Sequence, residues 1–445
     1  MREGSLEAPP RHPIAWQNDD FYDPVAIDAE LRRVFDICHT CRRCFNLCDS
    51  FPRLFDLIDE SKTGELDAVG SGDLKSVVDA CTLCDMCFMT KCPYVPPHEF
   101  NLDFPHLMLR YRAMEAKQGK LSFADRQLAA TDRNGRLASM VAPLANWATD
   151  RSNHTMRGLL AKQADLHPDA ALPKYQSKPL TSAAKQAPEV NREAPAFGRK
   201  AVLYATCFGN YNETAVGMAT RAVLARNGVE TEVVYPRCCG MPLFEQGRVA
   251  EVADNARTVA AAMQDWIAKG YDIVALVPSC ALMLKFEWPL LLPDDAQIKT
   301  LTKATYDISE YVVDMAKKEG LVAGMRPVPG GVTLHMACHA RAQNMGQKAA
   351  EMLRLLPEAD VAVVERCSGH GGSWGFKQEH FEVALKVGRP AARQMNDAGK
   401  AYITSECPLA GIHLAQGIEK LGSNGAKPQL VTHPIQLLAL AYGLA

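Results

Sequence analysis

Two compact runs of cysteine lie in the first hundred residues of this 445-residue sequence. In each run three cysteines follow one another with two residues between them, and a fourth comes a few residues later. A [4Fe–4S] cluster needs one thiolate for each of its four irons, and a loop with this spacing can supply three of them. The sequence therefore predicts two such clusters. The two runs are Cys38, Cys41, Cys44 and Cys48, and Cys81, Cys84, Cys87 and Cys92.

The fourth cysteine of each run is predicted to bind the cluster of the other run, as it does in two-cluster ferredoxins. This crossing would hold the clusters close together and favour electron passage between them. The second run has four residues before its last cysteine, and Asp49 rather than proline follows the first run, but both departures lie outside the wrapping loops. The predicted ligands are Cys38, Cys41, Cys44 and Cys92 for one cluster, and Cys81, Cys84, Cys87 and Cys48 for the other.

Zinc is the alternative metal for these two runs. Zinc sites usually join two well-separated pairs of cysteines, and three evenly spaced cysteines do not follow that pattern. The sequence shows no secretion signal, so its fifteen cysteines are better explained as metal ligands in a reducing cytosol than as disulfides. Iron is therefore the predicted metal, bound through the same cysteines.

The other seven cysteines each come at the end of an apolar run that predicts a β-strand, such as KAVLYATC or DIVALVPSC. Three cysteines of the first half recur in the second half at offsets of 131, 129 and 127 residues, which indicates an internal duplication. Ligands of open α/β sheets bind beyond the carboxyl ends of the strands, so we expect two groups of thiols there. They are Cys207, Cys238, Cys239 and Cys280, and Cys338, Cys367 and Cys407.

Helix-length segments separate these predicted strands. Residues 212–227 predict a helix that Gly228 ends, and apolar side chains at helical spacing from Val252 to Trp266 predict another. Strands that alternate with helices indicate parallel sheets covered by helices, so the predicted fold class is α/β. The predicted domains are a helical ferredoxin-like domain with two [4Fe–4S] clusters (1–166), a proline-rich extended linker (167–198) and two repeated α/β domains (199–326 and 327–445).

The sequence Cys238-Cys239-Gly240, with Cys207 before it and Cys280 after it, resembles the cysteine-rich CCG domain of heterodisulfide reductase subunits. The second copy, with CSGHGGSWG from Cys367, resembles a degenerate version of that domain. The whole order, over about residues 30–440, resembles the heterodisulfide reductase-related iron–sulfur subunits. These include the iron–sulfur subunits of anaerobic glycerol-3-phosphate dehydrogenase and of glycolate oxidase.

The resemblance implies a further iron–sulfur cluster in the CCG region, which in some members is a noncubane one with five cysteines per domain. Neither copy here has five: Met283 stands where a C-x-x-C motif would end, and Cys367 is followed by serine. The first copy could form a four-thiolate site. The second has three thiols, to which His339 or His370 could add a nitrogen. A pooled site across both copies, or seven inert buried thiols, are the alternatives.

Three glycines in the second copy, Gly371, Gly372 and Gly375, surround Ser373 and Trp374. They predict either a tight loop beside the site, where the backbone approaches closely, or only a turn.

The sequence contains no glycine-rich dinucleotide fingerprint after a strand and no P-loop, so we expect no flavin or nucleotide site in the chain itself. Electrons would then enter from another protein. The resemblance implies a relay between a flavoprotein, such as a glycerol-3-phosphate or 2-hydroxyacid dehydrogenase, and a quinone or other acceptor. Alternatives are an enzyme that cleaves a disulfide at a CCG cluster, an electron donor to a rubrerythrin-type peroxide reductase, and a zinc-dependent interaction module.

The net charge of −2 argues against nucleic acid or an anionic membrane as the main partner. The first thirteen residues have no apolar core typical of a signal peptide, and no apolar run is long enough to span a bilayer. The sequence therefore predicts a soluble, cytoplasmic protein. Attachment at the inner face of the cell membrane would need a partner subunit linked to quinone.

Overall fold

The computed structural model describes residues 9–422 and 428–444. Residues 1–8, on which much of the signal-peptide prediction rests, lie outside the described residues. A helical N-terminal region precedes two α/β units, and each unit contains a four-stranded parallel sheet. The predicted α/β class with a helical ferredoxin-like region is confirmed.

The helix Pro24–Cys41 shows how the N-terminal region places its first thiols. Asp23 caps its start by accepting a hydrogen bond from the backbone of Val25, and the residue after its end, Arg42, is left-handed. One face buries four apolar side chains, so the orientation of the helix is set by the core. Cys38 and Cys41 therefore occupy its last turn. The buried side chains are Ile27, Leu31, Val34 and Phe35.

The first four α-helices of the N-terminal region pack around a common apolar core, in which Phe51 and Phe104 lie with ring centroids 4.8 Å apart. Residues 101–166 are mostly helical, as predicted. The α-helices are Pro24–Cys41, Ser50–Asp59, Lys75–Asp79, Phe104–Lys117, Phe123–Ala129, Thr131–Met140, Ala142–Ala148 and His154–Ala164, with 3-10 turns at Asp19–Tyr22 and Leu66–Ala68 and a π-turn at Cys87–Lys91.

The first α/β unit has the strand order β2-β1-β3-β4, with all neighbours parallel. Burial of both sheet faces explains the continuous apolar runs of β1 and β3. The strand pattern of the sequence did not reveal β4, a three-residue strand between two helices. The strands are β1 Lys200–Tyr204, β2 Glu230–Val234, β3 Asp272–Ala275 and β4 Thr305–Asp307.

The second α/β unit repeats this topology with the order β6-β5-β7-β8, again parallel throughout. The duplication inferred from the cysteine offsets is thus matched strand for strand. Its last strand was likewise not predicted from the sequence. The strands are β5 Val332–His335, β6 Val361–Val364, β7 Tyr402–Ser405 and β8 Gln429–Val431.

Helices cover both sheets, and the two predicted ones occur as Thr214–Arg226 and Val249–Ala268. Gly228 has a φ of +93°, which suits its place after the first of them. The remaining helices are Cys207–Tyr211, Met241–Phe244, Pro278–Leu282, Trp288–Leu291, Ala296–Ala304, Ile308–Lys318, Cys338–Ala342, Lys348–Leu353, Phe381–Asp397, Pro408–Leu421 and Ile435–Ala441, with a π-turn at Met283–Glu287 and a 3-10 turn at Trp374–Phe376.

The proline-rich stretch 167–198 is packed against its neighbours, although most of it is irregular. It contains the short helix Leu180–Ala183, and Leu180 is fully buried against Gly217. Arg157, itself 1% exposed, donates hydrogen bonds to the carbonyl oxygens of His167 and Pro168. This stretch is therefore extended but packed against the neighbouring elements. The predicted domain boundaries stay predictions.

Across residues 9–422 and 428–444, no helix combines the length and the apolar character that crossing a bilayer requires.

Candidate iron–sulfur sites

Cys92, from the second run, lies beside the first three cysteines of the first run. It directly follows the π-turn Cys87–Lys91, and its N–H donates to the carbonyl of Cys87 over 2.8 Å. Burial raises the pKa of Cys38, and Cys92 raises it more than Cys44 or Cys41 does. The same neighbours act on Cys44, where burial, Cys92 and Cys41 raise the pKa to about 12. The crossed ligand set is therefore geometrically available.

Cys48, from the first run, lies correspondingly among the thiols of the second run. Burial is the largest cause of its raised pKa, and the nearby thiols of Cys84 and Cys81 raise it further. Burial likewise raises the pKa of Cys87, with Cys84, Cys81, Cys48 and then Cys44 adding to it. Because Cys44 belongs to the other set, the two sets are near neighbours. This second set is the more deeply enclosed of the two, with Cys81 and Cys87 buried.

The donor chemistry of these sets fits [4Fe–4S] clusters. Each set offers four thiols, and a bound cation such as iron stabilises the thiolate form of a buried thiol. The loop Cys81–Cys87 curls through left-handed residues Leu83 and Asp85, with φ of +48° and +62°. Among the described residues, no three or more histidine, cysteine, aspartate or glutamate side chains are grouped to hold a metal ion. Such a grouping is not required for a cluster, because each cluster ligand binds a different iron at a separate corner of the cube.

A buried charge network fastens the second loop to the rest of the protein. Arg11 donates to Asp85, Asp103 and Glu287 over 2.7–3.2 Å, and His106 lies 3.0 Å from Glu287. Although burial acts to raise it, Arg11 and His106 hold the pKa of Asp103 at about 2. The network joins the N-terminal segment, the second cysteine loop and the first α/β unit. No sequence pattern predicted it, because its members are far apart in the chain.

In the first α/β unit, four thiols meet beyond the carboxyl ends of β1, β2 and β3. The Sγ atoms of Cys207 and Cys238 lie 3.6 Å apart, and those of Cys239 and Cys280 lie 3.2 Å apart. Hydrogen bonds from Cys207 and Cys239 lower the pKa of Cys238. Gly240, with a φ of +86°, turns the chain directly after the pair. The predicted gathering of these four residues is what the structure shows.

In the second α/β unit, three thiols lie at the matching strand ends. Cys338 begins the helix after β5, Cys367 follows β6, and Cys407 precedes the helix after β7. Burial is the largest cause of the raised pKa of Cys338, and the nearby thiols of Cys84, Cys367 and Cys407 raise it further. The three are therefore neighbours, and the second ferredoxin-type loop is next to them.

Both thiol groups line one cavity of about 340 Å³. Cys84 and Thr82 of the second ferredoxin-type loop also line it, so the cavity adjoins the deeper of the two N-terminal sets. This arrangement keeps the pooled site open, because thiols from both copies face the same space. The six α/β-unit cysteines in its wall are Cys207, Cys239, Cys280, Cys338, Cys367 and Cys407.

The glycine-rich loop of the second unit closes tightly against its surroundings. A Cβ on Gly371 would lie 2.5 Å from Thr82 Cγ2, and one on Gly375 would lie 2.4 Å from the carbonyl oxygen of His370. Gly372 has a φ of +62°. Of the two outcomes predicted for these glycines, the tight loop beside the site is the one observed. His339 and His370 both line the cavity.

Comparison with known families identifies the same three regions. The family model for the citrate utilization protein B Fer4-like domain matches residues 29–118. The model for the cysteine-rich (CCG) domain matches twice, over residues 201–285 and 332–415. The two CCG matches confirm the duplication, and these domains indicate iron–sulfur clusters.

Similar proteins are iron–sulfur oxidoreductase-related. The chain is 26% identical over 286 residues to the C subunit of anaerobic glycerol-3-phosphate dehydrogenase from Escherichia coli K12, covering 63% of this chain and 69% of the relative. It is 28% identical over 251 residues to the B subunit of fumarate reductase (CoM/CoB) from Methanothermobacter marburgensis, covering 55% and 47%. It is 28% identical over 233 residues to lactate utilization protein A of Bacillus cytotoxicus, covering 50% and 93%.

Proposed function

We propose that this chain is the electron-transfer component of a dehydrogenase or reductase complex. The chain joins a Fer4-like domain to two CCG domains and so belongs with the heterodisulfide reductase-related iron–sulfur oxidoreductases. The observation that carries the proposal is the succession of thiol sets. It runs from a half-exposed set, through a buried one, to a cavity lined by thiols of both CCG units.

The chain's own residues supply the holding and the shielding in this proposal. When bound, each [4Fe–4S] cluster supplies reversible exchange of one electron. Cys38, Cys41, Cys44 and Cys92 would hold the outer cluster, where Lys91 and Arg43 partly offset the raised pKa of Cys44. The same cations favour added negative charge there. The deeper set would hold its cluster away from water, next to the cavity.

The names of the relatives suggest the partner. Two of them are named as subunits of larger enzymes, and one is named for anaerobic glycerol-3-phosphate oxidation. A flavoprotein dehydrogenase for glycerol 3-phosphate or a 2-hydroxyacid such as lactate is therefore the proposed donor. A quinone reached through a membrane-linked subunit is the proposed acceptor.

The test is anaerobic purification followed by iron and sulfide analysis, electron paramagnetic resonance and partner reduction. We expect at least about eight irons per chain from the two cubanes and paramagnetic signals after dithionite. Substrate-reduced glycerol-3-phosphate dehydrogenase or lactate dehydrogenase flavoprotein should then reduce the clusters. A protein without iron, or one whose clusters accept electrons from neither flavoprotein, would overturn the proposal.

A second candidate, reductive cleavage of a disulfide, is favoured by the thiol-lined cavity beside the deeper set. Cleavage would consume two electrons and two protons per disulfide and release two thiols, with the electrons supplied by the same donor. The mixed disulfide of coenzymes M and B is the probe. Substrate-dependent thiol release would support this activity, and no release from a cluster-loaded protein would refute it.

A further inference from the structure

We propose that His370 is the fourth ligand of the second CCG site, which would then hold an iron–sulfur cluster through Cys338, Cys367, Cys407 and one imidazole. The inference rests on the proposed iron–sulfur function and goes further by assigning a ligand and a cluster class to one site.

The second unit lacks a fourth thiol. Its β6 end carries Cys367 followed by Ser368, where the first unit has the pair Cys238 and Cys239. The three thiols are electrostatic neighbours, and all line the shared cavity. A cluster at this place therefore needs one donor of another kind from the surrounding wall.

Two other histidines line the wall, and both have their ring nitrogens engaged. In His335, Nδ1 lies 2.8 Å from the hydroxyl of Ser405 and Nε2 lies 3.0 Å from the carbonyl oxygen of Arg366. The second is His339. Its Nε2 lies 3.3 Å from the carbonyl oxygen of Leu83, which can only accept a hydrogen bond. Nε2 therefore donates, and Nδ1, 3.0 Å from the hydroxyl of Ser279, accepts. Binding a metal would cost His339 one of these bonds in a buried place.

His370 has a buried ring nitrogen for which the described residues offer no hydrogen-bond partner. The residue is 6% exposed and lines the cavity, and among the described residues no group forms a hydrogen bond with its Nδ1. A buried polar atom left unsatisfied costs about 1–3 kcal/mol, so an imidazole in this condition calls for a ligand.

Other unsatisfied polar groups nearby are less suitable. His413 lies with its ring centroid 6.3 Å from that of His370, but within the described chain it is not part of the cavity wall. Glu406 uses one carboxylate oxygen to accept the N–H of Ala337 over 3.0 Å and is likewise outside that wall.

The loop around His370 is built to hold one position. A Cβ on Gly369 would lie 2.0 Å from the carbonyl oxygen of Ala384, so the backbone before the histidine is pressed onto the helix Phe381–Asp397. After the histidine, the N–H of Gly375 donates to the carbonyl of His370 over 3.0 Å. Preorganisation of this kind is typical of ligand-bearing segments.

A histidine ligand has a measurable consequence. Neutral imidazole in place of a thiolate makes a cluster less negative and raises its reduction potential relative to all-cysteine ligation. Its nitrogen also gives a hyperfine coupling in pulsed electron paramagnetic resonance that a histidine with a purely structural role would not give.

The experiment uses the full chain, loaded with iron and sulfide and labelled with ¹⁵N-histidine. We expect one cluster signal, beyond those of the two ferredoxin-type clusters, with a strong nitrogen coupling that changes on labelling. In His370→Cys the cluster should remain, the coupling should vanish and the potential should fall. In the control His339→Gln, the coupling should persist.

A second variant guards against misfolding. His370→Ala should lose the coupling and recover it when imidazole is added to the buffer. Absence of a third cluster in the loaded wild type, a third cluster without nitrogen coupling, or coupling that survives in His370→Cys would each overturn the assignment. None of these results tests whether a dehydrogenase reduces the ferredoxin-type clusters. The His370 assignment and the proposed electron-transfer role can therefore fail separately.

Discussion

The Fer4-like region and the CCG units gather thiols in opposite ways. In the Fer4-like region, each predicted ligand set takes three thiols from one short segment and a single thiol from the other run. In a CCG unit, every thiol or thiol pair arrives from a different strand end, and the sheet alone brings them together. Ligand spacing along the chain is therefore informative in the first region. In the second region the position of each residue relative to a strand carries the information.

The largest expected effect tests the crossed pairing within the Fer4-like region. Cys92→Ser should abolish or strongly degrade the cluster assigned to Cys38, Cys41 and Cys44 and leave the other one largely intact, because the borrowed thiol has no local substitute. Electron paramagnetic resonance of the reduced protein and iron content would measure this.

The matched control for that variant is Cys48→Ser, which should have the mirror-image effect. Selective loss of the second-run cluster in Cys92→Ser would mean that each run holds its own cluster, and the contrast between the regions would weaken.

The next effect concerns the charge network that ties the two regions together. Arg11→Met would leave the buried carboxylates of Asp85 and Glu287 and the partly buried one of Asp103 without their cation. It should lower the free energy of unfolding by about 3–5 kcal/mol. Chemical denaturation would measure it. The control Arg33→Met breaks an exposed pair with Glu30 and should cost about 0–1 kcal/mol. Equal losses in both variants would contradict the role given to the network.

The same network predicts a pH dependence. The pKa of Asp103 in the folded protein, about 2, lies below its ordinary value of about 3.9. Its contribution to stability is therefore present above about pH 4 and lost as the pH falls toward 2. In Arg11→Met this pKa should rise toward its ordinary value, so the stability lost between about pH 4 and pH 2 should be smaller than in the wild type. An unchanged acid profile would count against the pairing.

A smaller effect tests how tightly the second CCG unit depends on its loop. Gly369→Ala should cost about 1–3 kcal/mol beyond backbone strain, because the new methyl group would meet the Ala384 carbonyl. Gly399→Ala is the control. Gly399 has a similar positive φ of +63°, but no atom of the described residues lies within 4 Å of the place its new methyl group would take. Thermal unfolding of the two variants should differ, and equal midpoints would show that the loop can relax.

The smallest expected effect lies at the outer thiol set. Replacing Arg43 and Lys91 together by glutamine should lower the reduction potential of the outer cluster slightly, since two exposed cations near Cys44 are removed and solvent screens both. A redox titration would detect the change, with the deeper cluster as the internal reference. A shift of equal size in both clusters would show that the cations act through overall charge instead.

Much of this arrangement could be predicted from particular residues. The three-residue spacing from Cys38 and from Cys81 predicted the chemistry, and the repeat from Cys207 to Cys338 predicted two repeated α/β units. The short strands β4 and β8 were missed, because three residues carry too little periodicity to separate a strand from its flanking helices. The packing of residues 167–198 was missed because proline-rich composition does not reveal burial.

Sequence alone determined which donors exist and where thiols are close along the chain. Three cysteines separated by only two residues each must lie close together, because so short a loop has few conformations. Sequence also determined the strand-end placement of the later thiols through the alternation of strand and helix. Only the tertiary structure decided that both CCG groups face one cavity and that Arg11 reaches three distant carboxylates. It also decided that His339 is engaged while Nδ1 of His370 has no partner within residues 9–422 and 428–444. Those outcomes depend on contacts between segments from 60 to 276 residues apart in the chain, which packing establishes and local pattern does not encode.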